Sequence, residues 1–227
     1  MRKIFYGLLV AVTFIVILFS CKHDPTPTQA QLDQQTPAVC FETEVLPLFV
    51  SYCGSSKCHN DFWHKDGYAF DSYDSIIAKG LVPGNAATSE VYLALFKTDT
   101  SHMPKLTNPD LSDDQRTVIR RWINQGANNT IGCASNCDTN HYAYNADIRP
   151  LLVNYCNGCH SGSSAQSGVR LDSFSYVKDY LDNDPASFIG DITQDPSYNP
   201  MPQYTQSMSA CNITKMLKWI NAGYPNN

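Results

Sequence analysis

Basic charge is in short supply in this chain: 16 Lys and Arg stand against 21 Asp and Glu over 227 residues. No basic stripe is available to track a phosphate backbone, which argues against nucleic acid as a partner. Long apolar runs are equally scarce. Only Ile4 to Phe19 runs apolar, and it is short for a spanning helix; no later segment is apolar enough to hold a membrane. Aliphatic bulk is missing from Lys22 to Val39, where Leu32 and Val39 stand among Pro, Thr and Gln. Nothing there can bury a core, so residues 21–39 read as a flexible tether with His23 exposed.

What is present begins with an export signal. Arg2-Lys3 ahead of the apolar run makes a basic n-region and a short h-region over residues 1–20. Leu18-Phe19-Ser20-Cys21 resembles the lipobox of bacterial lipoproteins, in which the Cys is diacylated through sulfur and becomes the new N-terminus. The alternative is an uncleaved signal anchor. Both put the functional part outside the cytoplasm, lipid-anchored to a bacterial membrane if Cys21 is acylated. Residues 1–20 hold two basic residues and no acid, so the remainder has 14 bases against 21 acids, a net of −7.

The most specific pattern is Cys156-Asn-Gly-Cys159-His160, the C-x-x-C-H attachment sequence of a c-type haem. Such a haem needs two thiols to add across its vinyl groups and an imidazole to take one face of the iron. On a helical turn these spacings point all three groups to one side. A longer version, Cys53-Gly-Ser-Ser-Lys-Cys58-His59, stands about a hundred residues earlier. Its four intervening residues exceed one turn and must loop out, which Gly54, Ser55 and Ser56 are small enough to permit. Against haem at this first site stand a Cys53–Cys58 disulfide or a site lost after duplication. A zinc cage lacks ligands, since no further Cys pair and only one His lie close enough within the second copy.

The two motifs sit in two copies of one unit. Glu44-Val-Leu-Pro-Leu-Phe-Val-Ser-Tyr-Cys53 aligns with Asp147-Ile-Arg-Pro-Leu-Leu-Val-Asn-Tyr-Cys156. Gly67 to Tyr73 then matches Gly168 to Phe174, Met103-Pro104 matches Met201-Pro202, and Trp122 to Gly126 matches Trp219 to Gly223. Four blocks in one order mean a tandem duplication, with copies at 40–133 and 137–227. Val45, Leu48, Phe49 and Tyr52 form a helical stripe leading into the first motif, and Ile148, Leu151, Leu152 and Tyr155 one into the second. A closing helix starts at Ser112, with Gln115 placed for a capping box, presents Val118, Ile119, Trp122 and Ile123, and stops at Gly126. Its counterpart starts near Ser209, presents Ile213, Met216, Leu217 and Ile220, and stops at Gly223. Gly, Pro, Asn and Asp between them argue against a sheet, so the fold class is all-α. Asp71 and Asp172 read as helix caps, and Tyr52, Tyr155, Trp122 and Trp219 as packing groups.

A helix ending in the attachment motif, a Met-bearing loop and a closing helix resemble the mono-haem cytochrome c fold, here in tandem. The chain is most similar to cytochrome c-like lipoprotein domains of Bacteroidetes-type bacteria, which carry a Met-Pro loop and a closing Trp-Ile-x-x-Gly-Ala segment. The resemblance covers nearly all of 40–227 and implies two haems c, bound through Cys53 and Cys58 and through Cys156 and Cys159. His59 and His160 would be axial ligands. Met103 and Met201 recur in both copies before a Pro and are the expected distal ligands, whereas Met208 and Met216 have no Met counterpart. His102 and His64 are the rivals of Met103, and His141 reads as a surface residue.

Nine cysteines, less Cys21 and four for haem, leave Cys40, Cys133, Cys137 and Cys211, an even number in an oxidising compartment. Of three connectivities, the favoured one joins Cys40 to Cys133 and Cys137 to Cys211. The function this implies is a membrane-anchored di-haem cytochrome c carrying single electrons between extracytoplasmic partners, a carrier rather than an enzyme. Its acidity suits a redox partner with a basic docking patch. Two alternatives remain open: a di-haem peroxidase, which needs one open iron face, and a surface binding lipoprotein with one haem or none.

Overall fold

A computed structural model describes residues 26–54, 57–105, 108–133, 137–203 and 207–227. The export segment, Cys21, His23, Ser55 and Ser56 lie outside the described residues. Among the described residues there are helices and turns and no strand, in keeping with an all-α chain. None of these helices is long and apolar enough to cross a membrane.

The helices are α1 (Gln29–Gln34), α2 (Leu46–Tyr52), α3 (Tyr73–Ile77), α4 (Glu90–Leu93), α5 (Asp113–Asn124), α6 (Arg149–Tyr155), α7 (Phe174–Asn183), α8 (Pro185–Ile192) and α9 (Ala210–Asn221). A wide π-type turn leads into α2 at Phe41–Val45 and into α6 at Tyr144–Ile148, so both copies enter their motif helix the same way. Pro47 and Pro150 occupy the first turn of these helices, where a missing N–H costs nothing. Helix α5 begins with the expected capping box. Gln115 N–H donates to Ser112 Oγ, and Gln115 Oε1 accepts from Ser112 N–H. Asp113 and Asp114 in its first turn and Arg121 in its last oppose the helix dipole favourably. It ends before Gly126, whose φ of +104° a side chain would resist.

Each copy builds its own apolar cluster. The first gathers Val45, Leu48, Phe49, Ile119, Trp122 and Ile123. The second gathers Ile148, Leu152, Val177, Met216, Trp219 and Ile220. The matched aromatics occupy matched places: Phe41 lies 5.4 Å from Trp122 at 33°, and Tyr144 lies 5.5 Å from Trp219 at 31°. Trp122 Nε1 donates to the carbonyl six residues on, Asn128, and Trp219 Nε1 likewise to Pro225, each at 3.0 Å. A buried indole keeps a hydrogen bond this way while its ring fills the helix crossing. Of the expected stripe residues, Val118, Leu151, Tyr155, Ile213 and Leu217 are only partly buried. Disulfides join Cys40 to Cys133 and Cys137 to Cys211, with Cα separations of 6.0 and 5.9 Å.

Two expectations need correction. Residues 28–39 are not a loose tether: α1, capped by Thr28, docks on α5. Asp33 is 2% exposed and accepts from Arg120 Nε at 2.9 Å and Asn124 Nδ2 at 2.7 Å. Arg121 Nε reaches Thr36, and Val39 N–H donates to Gln125 Oε1. The segment is held by polar groups that satisfy one another, so counting aliphatic residues misses it. Nor are Asp71 and Asp172 the helix caps. Ser72 and Ser173 stand at the N-cap positions, and the two aspartates reach back to the motif loops.

Candidate cofactor sites in the two copies

In the second copy the motif begins as α6 ends. Cys156 N–H still bonds to Leu152 O at 2.9 Å; a tight turn then returns Cys159 N–H and His160 N–H to Cys156 O at 3.1 and 2.9 Å. Two bonds pin the turn from behind: Leu171 N–H donates to His160 O at 2.7 Å, and Gly162 N–H to Asp172 Oδ2 at 2.9 Å. His160 Nδ1 lies 3.2 Å from Val169 O. That carbonyl selects the tautomer protonated at Nδ1 and leaves the Nε2 lone pair for a metal. A cavity of about 260 Å³ is lined by Cys156, Cys159, His160, Met201 and Pro202. Met201 N–H is anchored to Asp191 O at 2.8 Å, and Asp191 is itself among the residues lining the cavity.

The first copy repeats these relations around a longer loop. Cys53 N–H bonds to Phe49 O, and His59 N–H returns to Cys53 O at 3.1 Å. Asn60 Nδ2 ties the motif's end to its start by donating to Gly54 O at 2.9 Å, and Lys57 takes a positive φ of 66°. Phe70 N–H donates to His59 O, Asp61 N–H to Asp71 Oδ2, and His59 Nδ1 lies 3.0 Å from Lys65 O. A cavity of about 360 Å³ is lined by Cys53, Cys58, His59, Met103 and Pro104. Met103 N–H is anchored to Ala94 O at 3.0 Å. The rival ligands face elsewhere. His102 holds Lys97 O at 2.6 Å and Asp110 at 3.4 Å, His64 is exposed beside Asp61, and neither lines the cavity. His141 is exposed beside Asp138.

Burial pushes the Cys53 thiol up to about 12, with Cys58 adding to the effect. It pushes Cys156 to about 12, helped by Cys159, and Cys159 to about 11, helped by Cys58 across the two copies. Such thiols stay neutral and are sluggish in disulfide exchange, which disfavours a redox dithiol. Cys53 and Cys58 are not joined to each other. Burial lowers both His59 and His160, with the backbone carbonyls beside them opposing it, so the rings are neutral at pH 7 and able to ligate. Among the described residues no three His, Cys, Asp or Glu side chains converge on one point as a cage for an ion. Two thiols, an imidazole and a thioether lining one cavity suit instead a wide group held at its edge by sulfur and at its centre by nitrogen. The residues present therefore fit a c-type haem in each copy.

The two sites adjoin. Helices α2 and α6 pack together, Gly158 N–H donates to Ser51 Oγ at 3.0 Å, and Cys159 Sγ lies 3.3 Å from Ser51 O. Tyr52 OH, beside the first thiol, donates to Val153 O at 3.0 Å and accepts from Gln115 Nε2 at 3.2 Å. Val50, Ser51 and Gly54 of the first copy line the second copy's cavity. Sequence reasoning missed this shared wall, and it set aside Met208, a second thioether lining the second cavity. It also missed the tie from Asp71 and Asp172, although each stands twelve residues after its motif His. No protein-family model, curated protein or solved structure matches this chain.

Proposed function

We propose that this chain is a di-haem c-type cytochrome, an electron carrier of the extracytoplasmic space held to a bacterial membrane by lipid on Cys21. One observation carries the reading: in each copy a single cavity is lined by both motif cysteines, the motif His and the Met that precedes Pro. Cys53, Cys58, Cys156 and Cys159 would fix the haems covalently, and His59, Met103, His160 and Met201 would hold the irons. Bound there, a haem supplies reversible one-electron chemistry at iron.

The chain's own residues supply the rest. Lys65 O and Val169 O orient the two imidazoles, and Ala94 O and Asp191 O anchor the two methionine loops. A Met in each cavity supports two closed sites and so a carrier rather than a peroxidase. The packing of α2 on α6 supports exchange of electrons within one molecule. Partners would be redox proteins that meet the acidic chain with basic patches, so their association weakens with salt. The test is the haem-to-protein ratio of chain matured with a haem-attachment system, read from the reduced pyridine spectrum. A ratio of two supports the reading; a ratio of zero removes it.

A further inference from the structure

The two cavities are built alike and charged unlike. Lys65, Lys97 and Lys105 line the first cavity with Asp66 and Glu90, a balance of one positive charge. Asp191 is the one acidic or basic residue among the described residues lining the second, leaving one negative charge. The contrast is sharpest at a matched position. Ala94 and Asp191 each offer the carbonyl that anchors the distal Met, yet one carries a methyl group and the other a carboxylate. Asp191 is half-buried, and its charge acts on His160; His59 feels Asp66 and Lys65, which oppose each other.

We propose that the two haem sites have different potentials, the first copy's above the second's, and that Asp191 is the main cause. This rests on the di-haem reading and adds a direction to it. A carboxylate beside an iron stabilises the ferric form, which has one more positive charge, and so lowers the potential; nearby ammonium groups do the reverse. Lys65 and Lys97 are exposed and screened by solvent, so they count for less than the half-buried carboxylate. In a singly reduced molecule the electron then resides in the first copy. With both haems bound, the Ser51–Gly158 contact would hold the two sites side by side, and the electron lost by the second would be the one gained by the first. The first copy is the exit for electrons.

The test is a spectroscopic redox titration of the full-length di-haem protein at pH 7, alongside Asp191→Asn and Ala94→Asp. Asparagine keeps the Oδ1 that accepts from Asn199 N–H, so the loop is preserved while the charge is removed. Wild type should titrate in two one-electron steps. Asp191→Asn should raise the lower step alone, and Ala94→Asp should lower the upper step alone, so either variant narrows the gap. Cys156→Ala/Cys159→Ala protein, holding only the first haem, should titrate at the upper value. A single unsplit step in wild type, movement of the upper step in Asp191→Asn, or no movement in either variant would overturn the inference. Haem content is measured first. A protein without two haems would defeat the underlying reading, and that result is distinct from two haems titrating in the wrong order.

Discussion

Gly158 and Ser51 meet where the two attachment segments cross: the Gly158 N–H donates to Ser51 Oγ at 3.0 Å, and a Cβ on Gly158 would overlap the Ser51 carbonyl oxygen. One copy's motif thus lies against the helix that presents the other's. Gly158→Ala must push α2 and α6 apart and should destabilise the protein by about 1–3 kcal/mol, the usual cost of overpacking. Ser51→Ala removes only the hydrogen bond and should cost about 1 kcal/mol. Thermal unfolding checks both, and a Gly158→Ala midpoint equal to wild type would mean that the copies do not pack this closely.

Asp33 should matter despite its place in a Pro- and Thr-rich segment. Asp33→Ala strands Arg120 and Asn124 and should destabilise the first copy by about 3 kcal/mol, toward the low end for a broken buried pair because Arg120 is a quarter exposed. Burial pushes the Asp33 carboxyl up, but hydrogen bonds from Arg120, Asn124 and Gln29 outweigh it and hold the group below 3.8. A carboxyl depressed on folding contributes stability that is fully present above its unfolded value and is lost as pH falls through its folded value. The gap between wild type and variant, followed by denaturant unfolding, should stay constant above about pH 5 and close below about pH 4. A gap that widens in acid would contradict this account.

Met201→Ala should abolish the far-red sulfur-to-iron absorption band of one haem and lower its potential, with covalent attachment intact. Met103→Ala should do the same to the other haem. Met208→Ala is the control, since Met208 lines the second cavity but also belongs to the core cluster. If Met208→Ala removes the band and Met201→Ala does not, the ligand assignment in the second copy moves to Met208.

Removing Cys211 opens the loop closed to Cys137 and should cost the second copy about 2–4 kcal/mol. Cys133→Ser should weaken the first copy to a similar degree, leaving its new partner-free thiol at Cys40. Unfolding monitored with and without reductant checks both, and indifference of wild type to reductant would argue that the bridges do not form.

Much of the fold was legible because the repeat compares two solutions to one problem. Trp122 and Trp219 and the paired Met-Pro steps could be read from the match between copies, the capping box at Ser112 from Gln115 three residues on, and cysteine parity pointed to the two disulfides. Polar anchoring was not legible. Asp33 is buried by partners about ninety residues away, and no local pattern announces that. The shared wall between copies was hidden for a different reason. Ser51 and Gly158 look like ordinary loop and helix residues until α2 meets α6, and sequence periodicity marks faces without saying which faces meet. Ala94 and Asp191 fall in stretches where the copies no longer align, so their equivalence rests on the carbonyls they share.

Intact mass measurement of the full-length protein, matured with a haem-attachment system, shows whether both copies hold haem. Two covalent haems, with Cys40, Cys133, Cys137 and Cys211 oxidised in pairs and diacylglycerol on Cys21, is the predicted result. A mass with no haem, or with one haem and Cys53 oxidised to Cys58, would contradict it.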